Sequence, residues 1–444
     1  MIHADFAELF DAVAAAVGRH ARSGEAAFAY LRGERSDYLR VNRARVRQAG
    51  TVQRVELSLK LFRAGRQARM RCTLASPRGA AKRVHEALTA LREAVEALPV
   101  DPFAYFQPEP GRSERIASEP APAPAEVVDA IVQAGAGADL VGLFAGGIVM
   151  RALASNLGHR HFHETTSASF DFSIHCPEAT AAKRTWSAPR WDAQALRAAI
   201  DATKEQARIL QRPARRIEPG AYRALLAPAA LADLVALLGW GGFSERAFRS
   251  GQSPLARAQR GDARFDPAFE IVDDLDALDV PRFQSEGFVR PARSVLVERG
   301  RPAQRLVSPR SAVEFGVRGN GADDDERPHA PCVAPGRLDD VGLLDALGTG
   351  IAISNLWYLN YSDRQACRVT GMTRFATLWV ENGVAVAPVE PMRFDDSLYR
   401  LFGAGLLGLG SGVATIPPVE TWDGREPGGS RTPAALVDAL RFTL

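Results

Sequence analysis

The feature that most constrains the fold of this chain is a run of strand-like segments between Gly348 and Pro388. From Ile351 to Ser362, apolar or aromatic residues fall on one face at a two-residue spacing (Ile351, Ile353, Trp357, Leu359 and Tyr361), which is the period of a β-strand rather than of a helix. A second such run, Phe375 to Glu381, ends at Asn382-Gly383, a dipeptide that favours a tight type I′ turn between antiparallel strands. The stretch therefore predicts one long strand followed by a β-hairpin.

The residues of this stretch also carry a resemblance to a known family. The segments ISNLWYLNYSDR (Ile353–Arg364) and VTGMTRFATLWVENG (Val369–Gly383) resemble the C-terminal part of the TldD/PmbA family, also described as modulators of DNA gyrase. They are most similar to its TldE (PmbA)-like members. Three further segments agree in the same order, namely Gly147–Ser173, Leu238–Leu255 and Ser308-Pro309-Arg310. The resemblance therefore covers most of the chain and is specific as a set.

The resemblance implies an α+β fold, with an N-terminal α/β module and a C-terminal domain built on a large twisted antiparallel, barrel-like β-sheet. Residue patterns support that order, because a helical period from Asp5 to Val17 is followed by strand-like segments and then by a helical segment. A long helix is predicted from Asp192, the N-cap, to Leu210. We predict a helix-meander-helix module in 1–105, a Pro-rich linker in 106–125, a continuation with strands and the long helix in 126–215, and the β-rich domain in 216–444.

The composition excludes some classes of function. Lys and Arg total 55 against 52 Asp and Glu, so the charge is too nearly balanced to predict nucleic-acid binding. No apolar run approaches the roughly 20 residues that span a bilayer, and the first residues lack the basic region of a secretory signal. We therefore expect no nucleic acid and no membrane as partners, and a cytoplasmic location.

The chain lacks the residues that bind zinc in part of the family. Members resembling TldD are zinc peptidases that carry a His-Glu-x-x-x-His helix and a downstream Cys, whereas TldE-like members lack these ligands and pair with a TldD subunit. Alignment through the segment after the helix places Ala236, Leu237 and Gly241 at the His, Glu and His positions. No histidine lies between His175 and His329, and the expected Cys region, 412–418, contains no cysteine. We predict no metal or other cofactor in this chain, and zinc in a TldD-like partner.

The resemblance and the missing ligands together predict a TldE-like subunit of a metallopeptidase system, itself non-catalytic, that helps a zinc-bearing TldD-like subunit to cleave short or unfolded peptides. Two questions stay open at this point. One is whether the chain is itself an enzyme, and the other is whether its partner is a TldD-like chain or a second copy. Two alternatives remain. One is a self-sufficient hydrolase with a relocated site, and the other is a homodimeric peptide-binding module.

Four side chains on or beside the long strands are predicted to bind substrate: Trp357, Tyr361, Arg364 and Arg374. Aromatic and cationic groups there would line a cleft that receives an extended peptide by strand addition. Core packing is the alternative for Trp357. Trp240, at the end of the helix that lacks its zinc ligands, is expected to fill the space left by them.

A relocated site would have two candidates. Cys367 lies near Arg364, which would lower a thiol pKa, but no histidine is near in sequence to act as a base. An ion pair between Asp363 and Arg364 is the simpler expectation. His159, His161 and His163 would share one face of a strand, yet same-face neighbours stand roughly 6.5 to 7 Å apart, which is awkward for one metal ion. An exposed strand edge or turn is the alternative for these histidines, and their role stays open.

The acidic stretch Gly319 to Glu326 is predicted to be a solvent-exposed loop. Its spacing does not fit an EF-hand, so calcium binding is not predicted.

Overall fold

A computed structural model describes residues 6–117, 119–177 and 180–443 of the chain. The helices are α1 (Phe6–His20), α2 (Pro77–Ala97), α3 (Pro124–Gly135), α4 (Ala193–Leu210), α5 (Pro228–Gly239), α6 (Glu245–Arg249), α7 (Ala256–Gln259), α8 (Pro309–Phe315), α9 (Leu343–Leu347) and α10 (Leu398–Leu401). No helix of these residues is long and apolar enough to cross a membrane.

The strands fall into three sheets. The first sheet holds β1 (Glu25–Asn42), β2 (Arg45–Arg63), β3 (Arg66–Leu74), β4 (Arg112–Arg115), β5 (Asp139–Ser155), β6 (Arg160–His175) and β7 (Ala181–Ala188). The other two sheets hold β8 (Gly220–Leu226), β9 (Ile271–Asp274), β10 (Arg293–Glu298), β11 (Arg301–Pro302), β12 (Pro331–Val333), β13 (Gly350–Ile353), β14 (Leu356–Asp363), β15 (Arg368–Thr373), β16 (Thr377–Glu381), β17 (Val384–Pro388), β18 (Arg393–Ser397), β19 (Leu406–Leu409), β20 (Ala414–Ile416), β21 (Ser430–Thr432) and β22 (Ala435–Phe442).

The N-terminal sheet has the order β3-β2-β1-β5-β6-β4, with β7 also paired to β6. Leu31 packs with α1 and α2, and Leu39 packs with α3 and α4. Because these two residues are eight positions apart on β1, both pairs of helices lie on one face of the sheet. The segments 1–105 and 126–215 thus share a single sheet, and 106–125 contributes its short edge strand β4. The domain boundaries themselves stay a prediction.

The opposite face of the N-terminal sheet is covered by residues from the C-terminal half. Phe283 packs edge-on against Tyr30, with ring centroids 6.3 Å apart. The backbone N–H of Arg425 donates to the Glu34 carboxylate at 2.7 Å, and the Arg425 side chain donates to Ser36 Oγ at 3.2 Å. Arg425 is buried, so this face is a packed and hydrogen-bonded contact rather than a solvated surface.

The C-terminal half contains a nine-stranded sheet, β14-β15-β18-β22-β8-β13-β16-β17 with β19 on β22, and a six-stranded sheet, β11-β10-β9-β12-β21-β20. Most pairings are antiparallel, and the fold includes a strongly curled half-barrel sheet. Helix α5 is apolar on almost every side, and Leu231, Val235 and Leu238 are buried in the largest hydrophobic core. The α+β class with a barrel-like C-terminal sheet is confirmed.

The hairpin prediction is confirmed as well, because Asn382 and Gly383 both have positive φ between β16 and β17, as a type I′ turn requires. The helix predicted from Asp192 is also confirmed, with the Asp192 side chain accepting from Ala195 N at 2.9 Å. The prediction of a single strand from Ile351 to Ser362 is wrong. The chain leaves β13 at Ile353 and begins β14 at Leu356, and the two strands have different neighbours.

Candidate functional site

Helix α5 presents one partly open face, formed by Asp233, Ala236 and Trp240. These residues are three and four positions apart, so they form one stripe along the helix. Ala236 is exposed, and half of the Trp240 side chain is accessible. Trp240 therefore does not fill a buried space as the sequence suggested. Leu237 is buried beside this stripe and Gly241 follows the helix, so the three positions aligned with the family ligands lie at its C-terminal end.

Asp233 is the acidic side chain of this stripe. Its carboxylate accepts one backbone hydrogen bond, from Leu356 N at 3.3 Å. Burial raises the pKa of Asp233 to about 6, although the Leu356 N–H and the charge of Lys183 act in the opposite direction. A carboxyl group with such a pKa changes its charge close to neutral pH, so Asp233 is the residue here best suited to take up or release a proton.

Strand β14 runs beside α5, and two of the predicted binding residues meet the helix at its C-terminal end. Tyr361 Oη donates to the carbonyl oxygen of Leu237 at 2.8 Å. The Arg364 guanidinium lies 4.8 Å from the Tyr361 ring centroid and 5.0 Å from that of Trp240, and it donates to the Trp240 carbonyl at 3.3 Å. The cation thus bridges two aromatic rings and fixes the end of the helix to the strand.

The other two predicted residues form a second cluster at the start of β14. The Arg374 guanidinium lies 4.9 Å from the Trp357 ring centroid. Phe375 meets Trp357 edge-on at 6.0 Å, and Lys183 of β7 lies 5.5 Å from the Phe375 ring. Tyr358, next along the strand, is 80% exposed. The four residues are therefore brought together as two pairs, Tyr361 with Arg364 and Trp357 with Arg374, near opposite ends of the contact between α5 and β14.

The C-terminal tail closes a further side of α5. Strand β20 packs against this helix and against β7. Ser187 Oγ of β7 donates to the carbonyl oxygen of Thr415 at 3.3 Å. The segment 412–418, in which the resemblance predicts a cysteine, thus lies beside the helix in which it predicts histidines. We name the set formed by Asp233, Ala236, Trp240, the two clusters on β14 and β20 the α5–β14 surface.

This arrangement coincides with a known domain, since the model of the PmbA/TldA metallopeptidase C-terminal domain matches residues 219–444, just over half of the chain. The chain belongs to the TldD/PmbA family. The resemblance inferred from the sequence is thereby confirmed. No curated protein matches the sequence significantly.

Solved structures of similar fold cover nearly the whole chain. TldE from Thermococcus kodakarensis superposes with a TM-score of 0.79 at 14% identity, over 95% of this chain and 97% of that one. Two proteins named as modulators of DNA gyrase also match. The one from Thermotoga maritima has a TM-score of 0.77 at 17% identity, covering 99% of this chain and 100% of that one. The one from Bacteroides thetaiotaomicron has a TM-score of 0.75 at 14% identity, covering all of both chains. At such identities the likeness shows a shared fold.

Two of the TldD/PmbA-like segments, Leu238–Leu255 and Ser308-Pro309-Arg310, meet at Glu326. The buried Glu326 carboxylate accepts from Ser244 Oγ at 2.5 Å, from Arg246 N at 2.9 Å and from Ser308 N at 2.8 Å. Ser244 and Ser308 are also the N-caps of α6 and α8. The prediction of a solvent-exposed loop through Glu326 is therefore wrong at this residue, which joins two family-like segments through its hydrogen bonds.

Cys367 does not form a nucleophilic site. Its side chain is fully buried, and burial raises the pKa of the thiol to about 12. Asp363 accepts from Ala366 N at 3.0 Å while Arg364 turns to the aromatic rings, so the ion pair expected between these two residues is not the contact that either makes. The turn is thus held by a backbone hydrogen bond.

The three neighbouring histidines lie on the sheet face that meets the C-terminal half. All three are buried, so the exposed edge or turn considered from the sequence is wrong. Their partners differ: Ser155 Oγ for His159, Ser113 Oγ for His161 and Asp279 for His163. Burial lowers the pKa of His161 to about 4. The described residues contain no group of three or more potential ligands arranged to hold a metal ion.

Sequence reasoning missed Asp233, Lys183 and Phe375 as members of the site. A signal for Asp233 was present, since it is the single charged residue in the helix Pro228–Gly239. Lys183 carries no local signal, because it reaches the site only through the packing of β7 against the C-terminal half.

Proposed function

We propose that this chain is a TldE-like, non-catalytic subunit of a TldD/PmbA-family peptidase system. It would pair with a zinc-bearing TldD-like chain in the cleavage of short or unfolded peptides. The observation that carries the proposal is the composition of the α5–β14 surface, in which the family helix offers Asp233 and Ala236 and the adjoining β20 offers Thr415.

Zinc does not fit these residues. A catalytic zinc site takes three protein ligands, drawn from imidazole, thiolate and carboxylate groups, and keeps one position open for water. Helix α5 supplies one carboxylate, at Asp233, and no imidazole, while the tail beside it supplies no thiolate. Zinc-bound water is therefore assigned to a partner chain in this proposal.

What the surface retains is the capacity to hold a peptide. Tyr358 and Trp357 offer accessible rings with the Arg374 guanidinium beside Trp357, and Arg364 adds a positive charge near the other end of the surface. Rings and guanidinium groups contact an extended chain without reading its sequence, which suits a substrate class of short or unfolded peptides. Asp233 would face the amide or amino groups of such a peptide.

A hydrolase with a relocated site is less well supported. Cys367 is enclosed in the core, and its raised pKa keeps the thiol protonated. His159 and His161 are enclosed between the N-terminal sheet and the C-terminal half, away from solvent. Neither group has access to a substrate.

The test combines metal analysis with a peptidase assay on the purified full chain. Zinc is measured by mass spectrometry, and cleavage of an unstructured peptide is followed for the chain alone and after mixing with the zinc-bearing relative from the same organism. We expect no stoichiometric zinc and no activity alone, and cleavage by the mixture that exceeds that of the relative by itself.

Within that mixture, Arg364→Ala should reduce cleavage, whereas Arg327→Ala, which removes an exposed guanidinium elsewhere, should not. Bound zinc near one per chain, together with activity that disappears in His161→Ala or Cys367→Ala, would overturn the proposal and favour a relocated site.

A further inference from the structure

The longest strands of the molecule form a hairpin with an unpaired side. Strand β2 pairs with β1 along its whole length, but on its other side β3 pairs only with residues from Val55 to Arg63. Residues Arg45–Val52 therefore have no strand on that side among the residues described, and each of them is exposed. Such an edge presents free backbone N–H and C=O groups that can accept a further strand.

This edge is strongly basic. From Tyr38 to Val55 the sequence contains five arginines and no Asp or Glu. Arg40, Arg43, Arg45 and Arg47 are all exposed, and none of the four has an ion pair or hydrogen bond to another described side chain. Free guanidinium groups repel one another, so the charge favours an anionic neighbour.

An exposed aromatic side chain lies on a turn that contacts the continuation of the same strand. Trp422 is 91% exposed, on a turn closed by the hydrogen bond from Gly424 N to Thr421 O at 3.2 Å. A Cβ on Gly424 would overlap the Arg54 guanidinium, so the turn lies against Arg54, two residues beyond Val52 on β2. An accessible tryptophan beside a strand edge is a common anchor in protein interfaces.

We propose that the hairpin edge, defined as Arg43, Arg45–Val52 and Trp422, binds an extended acidic segment of a different protein chain by adding that segment as a strand. The partner backbone would pair with Arg45–Val52, its carboxylates would meet Arg43, Arg45 and Arg47, and Trp422 would cover one end of the segment. The identification of that chain as the TldD-like subunit rests on the proposed function, whereas the chemistry of the surface does not.

A second copy of this chain fits the edge poorly. A two-fold symmetric contact would place the free part of β2 against itself, because such contacts use the same patch on both copies. Two sets of unpaired arginines would then face each other with no carboxylate in either Arg45–Val52 segment, and like charges across a strand pair are destabilising. The edge therefore selects a different chain with opposite charge.

The test uses the full chain and a fluorescent ten-residue peptide that alternates Glu with Val and Thr. Binding is measured by fluorescence anisotropy, with three matched probes: the same peptide with Lys in place of Glu, the Glu peptide methylated on alternate backbone nitrogens, and a single-stranded oligonucleotide. Only the Glu peptide offers both the charge and the free backbone groups that strand addition requires.

We expect the Glu peptide to bind more tightly than each of the three matched probes. Replacing Arg45→Glu together with Arg47→Glu should weaken its binding about tenfold or more, since two attractions become repulsions. Trp422→Ala should weaken it by a smaller factor. The control is Arg318→Glu with Arg327→Glu, which makes the same charge change at exposed positions of the C-terminal half and should leave binding unchanged. Circular dichroism and the thermal midpoint show that both double variants are folded.

Several results would overturn the inference. If the Glu peptide does not bind, or if the methylated peptide binds equally well, binding by strand addition is ruled out. Tighter binding of the oligonucleotide would assign the arginines to nucleic acid, and self-association of the wild type that the hairpin variant abolishes would assign the edge to a second copy.

The docking inference and the proposed function can fail separately. If the hairpin variant still increases cleavage in the mixture with the zinc-bearing relative, the proposed function stands, and the docking inference fails for that partner. If the Glu peptide binds as expected but the mixture shows no added cleavage, the docking inference is upheld and the proposed function fails.

Discussion

Glu326 and Asp233 are both acidic groups withdrawn from water, but their surroundings differ. Glu326 receives three hydrogen bonds, two of them from backbone N–H groups, and is fully buried. Asp233 receives one hydrogen bond of 3.3 Å, and burial raises its pKa to about 6. The first carboxylate stabilises the fold, whereas the second is held in a place where its charge is poorly compensated.

The two carboxylates therefore have different roles, one structural and one on a surface suited to a ligand. The family-like segments that meet at Glu326 cap two helices and anchor a loop to both. At the α5–β14 surface, the charge of Asp233 is poorly compensated and Tyr358 is accessible, which contributes little to stability and is the arrangement expected of a surface that acts on a ligand.

The largest effect is expected for Glu326→Ala. Removing the carboxylate leaves the Ser244 hydroxyl and the N–H groups of Arg246 and Ser308 buried without their acceptor, so we expect a loss of about 4 kcal/mol in the free energy of unfolding. Urea unfolding followed by tryptophan fluorescence measures it. Asp325→Ala, one residue away and exposed, is the control and should change stability by less than about 0.5 kcal/mol. Equal effects of the two variants would remove the distinction between Glu326 and an ordinary surface carboxylate.

His161 extends the comparison to a buried imidazole. Its folded-state pKa of about 4 lies below its ordinary value of 6.5, so the unfolded chain binds more protons between these values, and stability falls as the pH is lowered. From pH 7 to pH 5 the loss should be about 2 kcal/mol, and His161→Gln should remove it. A pH profile of His161→Gln that matches that of the wild type would show that His161 titrates freely in the folded state.

Asp233→Asn should have an effect of opposite sign. The folded-state pKa of Asp233 is raised above its ordinary value of 3.8, so its protonated form favours folding at low pH, and ionisation opposes folding above about pH 6. The free energy of unfolding of the variant minus that of the wild type should be larger at pH 7.5 than at pH 5, by about 1 kcal/mol. Urea unfolding at both values measures this, with Asp325→Asn as the control. A variant less stable at pH 7.5 would mean that the charge is well compensated, and the contrast with Glu326 would be lost.

The smallest effect is expected for Tyr361→Phe. The variant loses the hydrogen bond to the Leu237 carbonyl, but that oxygen still accepts from Trp240 N at 3.1 Å, so the loss should be only about 0.5 kcal/mol. Tyr222→Phe, which removes a similar bond to the Glu218 carbonyl, is the matched control for stability. If the α5–β14 surface holds peptide, Tyr361→Phe should lower cleavage in the mixture described above and Tyr222→Phe should not.

The sequence predicted the candidate site in part. Trp357, Tyr361, Arg364 and Arg374 were identified by residue type and by their place on strands, and all four lie on or beside β14. Their division into two pairs was not predicted, because it depends on the antiparallel pairing of β14 with β15, which brings Arg374 beside Trp357. The break between β13 and β14 was not predicted either, although the polar Asn355 interrupts the apolar alternation there.

The sequence by itself determined the features that depend on neighbours along the chain. The turn at Asn382-Gly383 follows from the need for positive φ at two successive residues, and the start of α4 follows from the ability of Asp192 to accept a backbone N–H. The α+β class follows from periodicity together with the resemblance to the TldD/PmbA family.

Only the tertiary structure decided which polar groups are compensated. Glu326 and Asp233 lie in segments of opposite character, an acidic loop and an apolar helix, and local pattern suggests that the loop residue is the exposed one. The structure places the donors of Ser244 and Ser308 around Glu326, from positions 82 and 18 residues away, and leaves Asp233 with a single N–H. The free energy of a buried charge depends on the donors that the fold brings to it, and those donors come from distant parts of the chain.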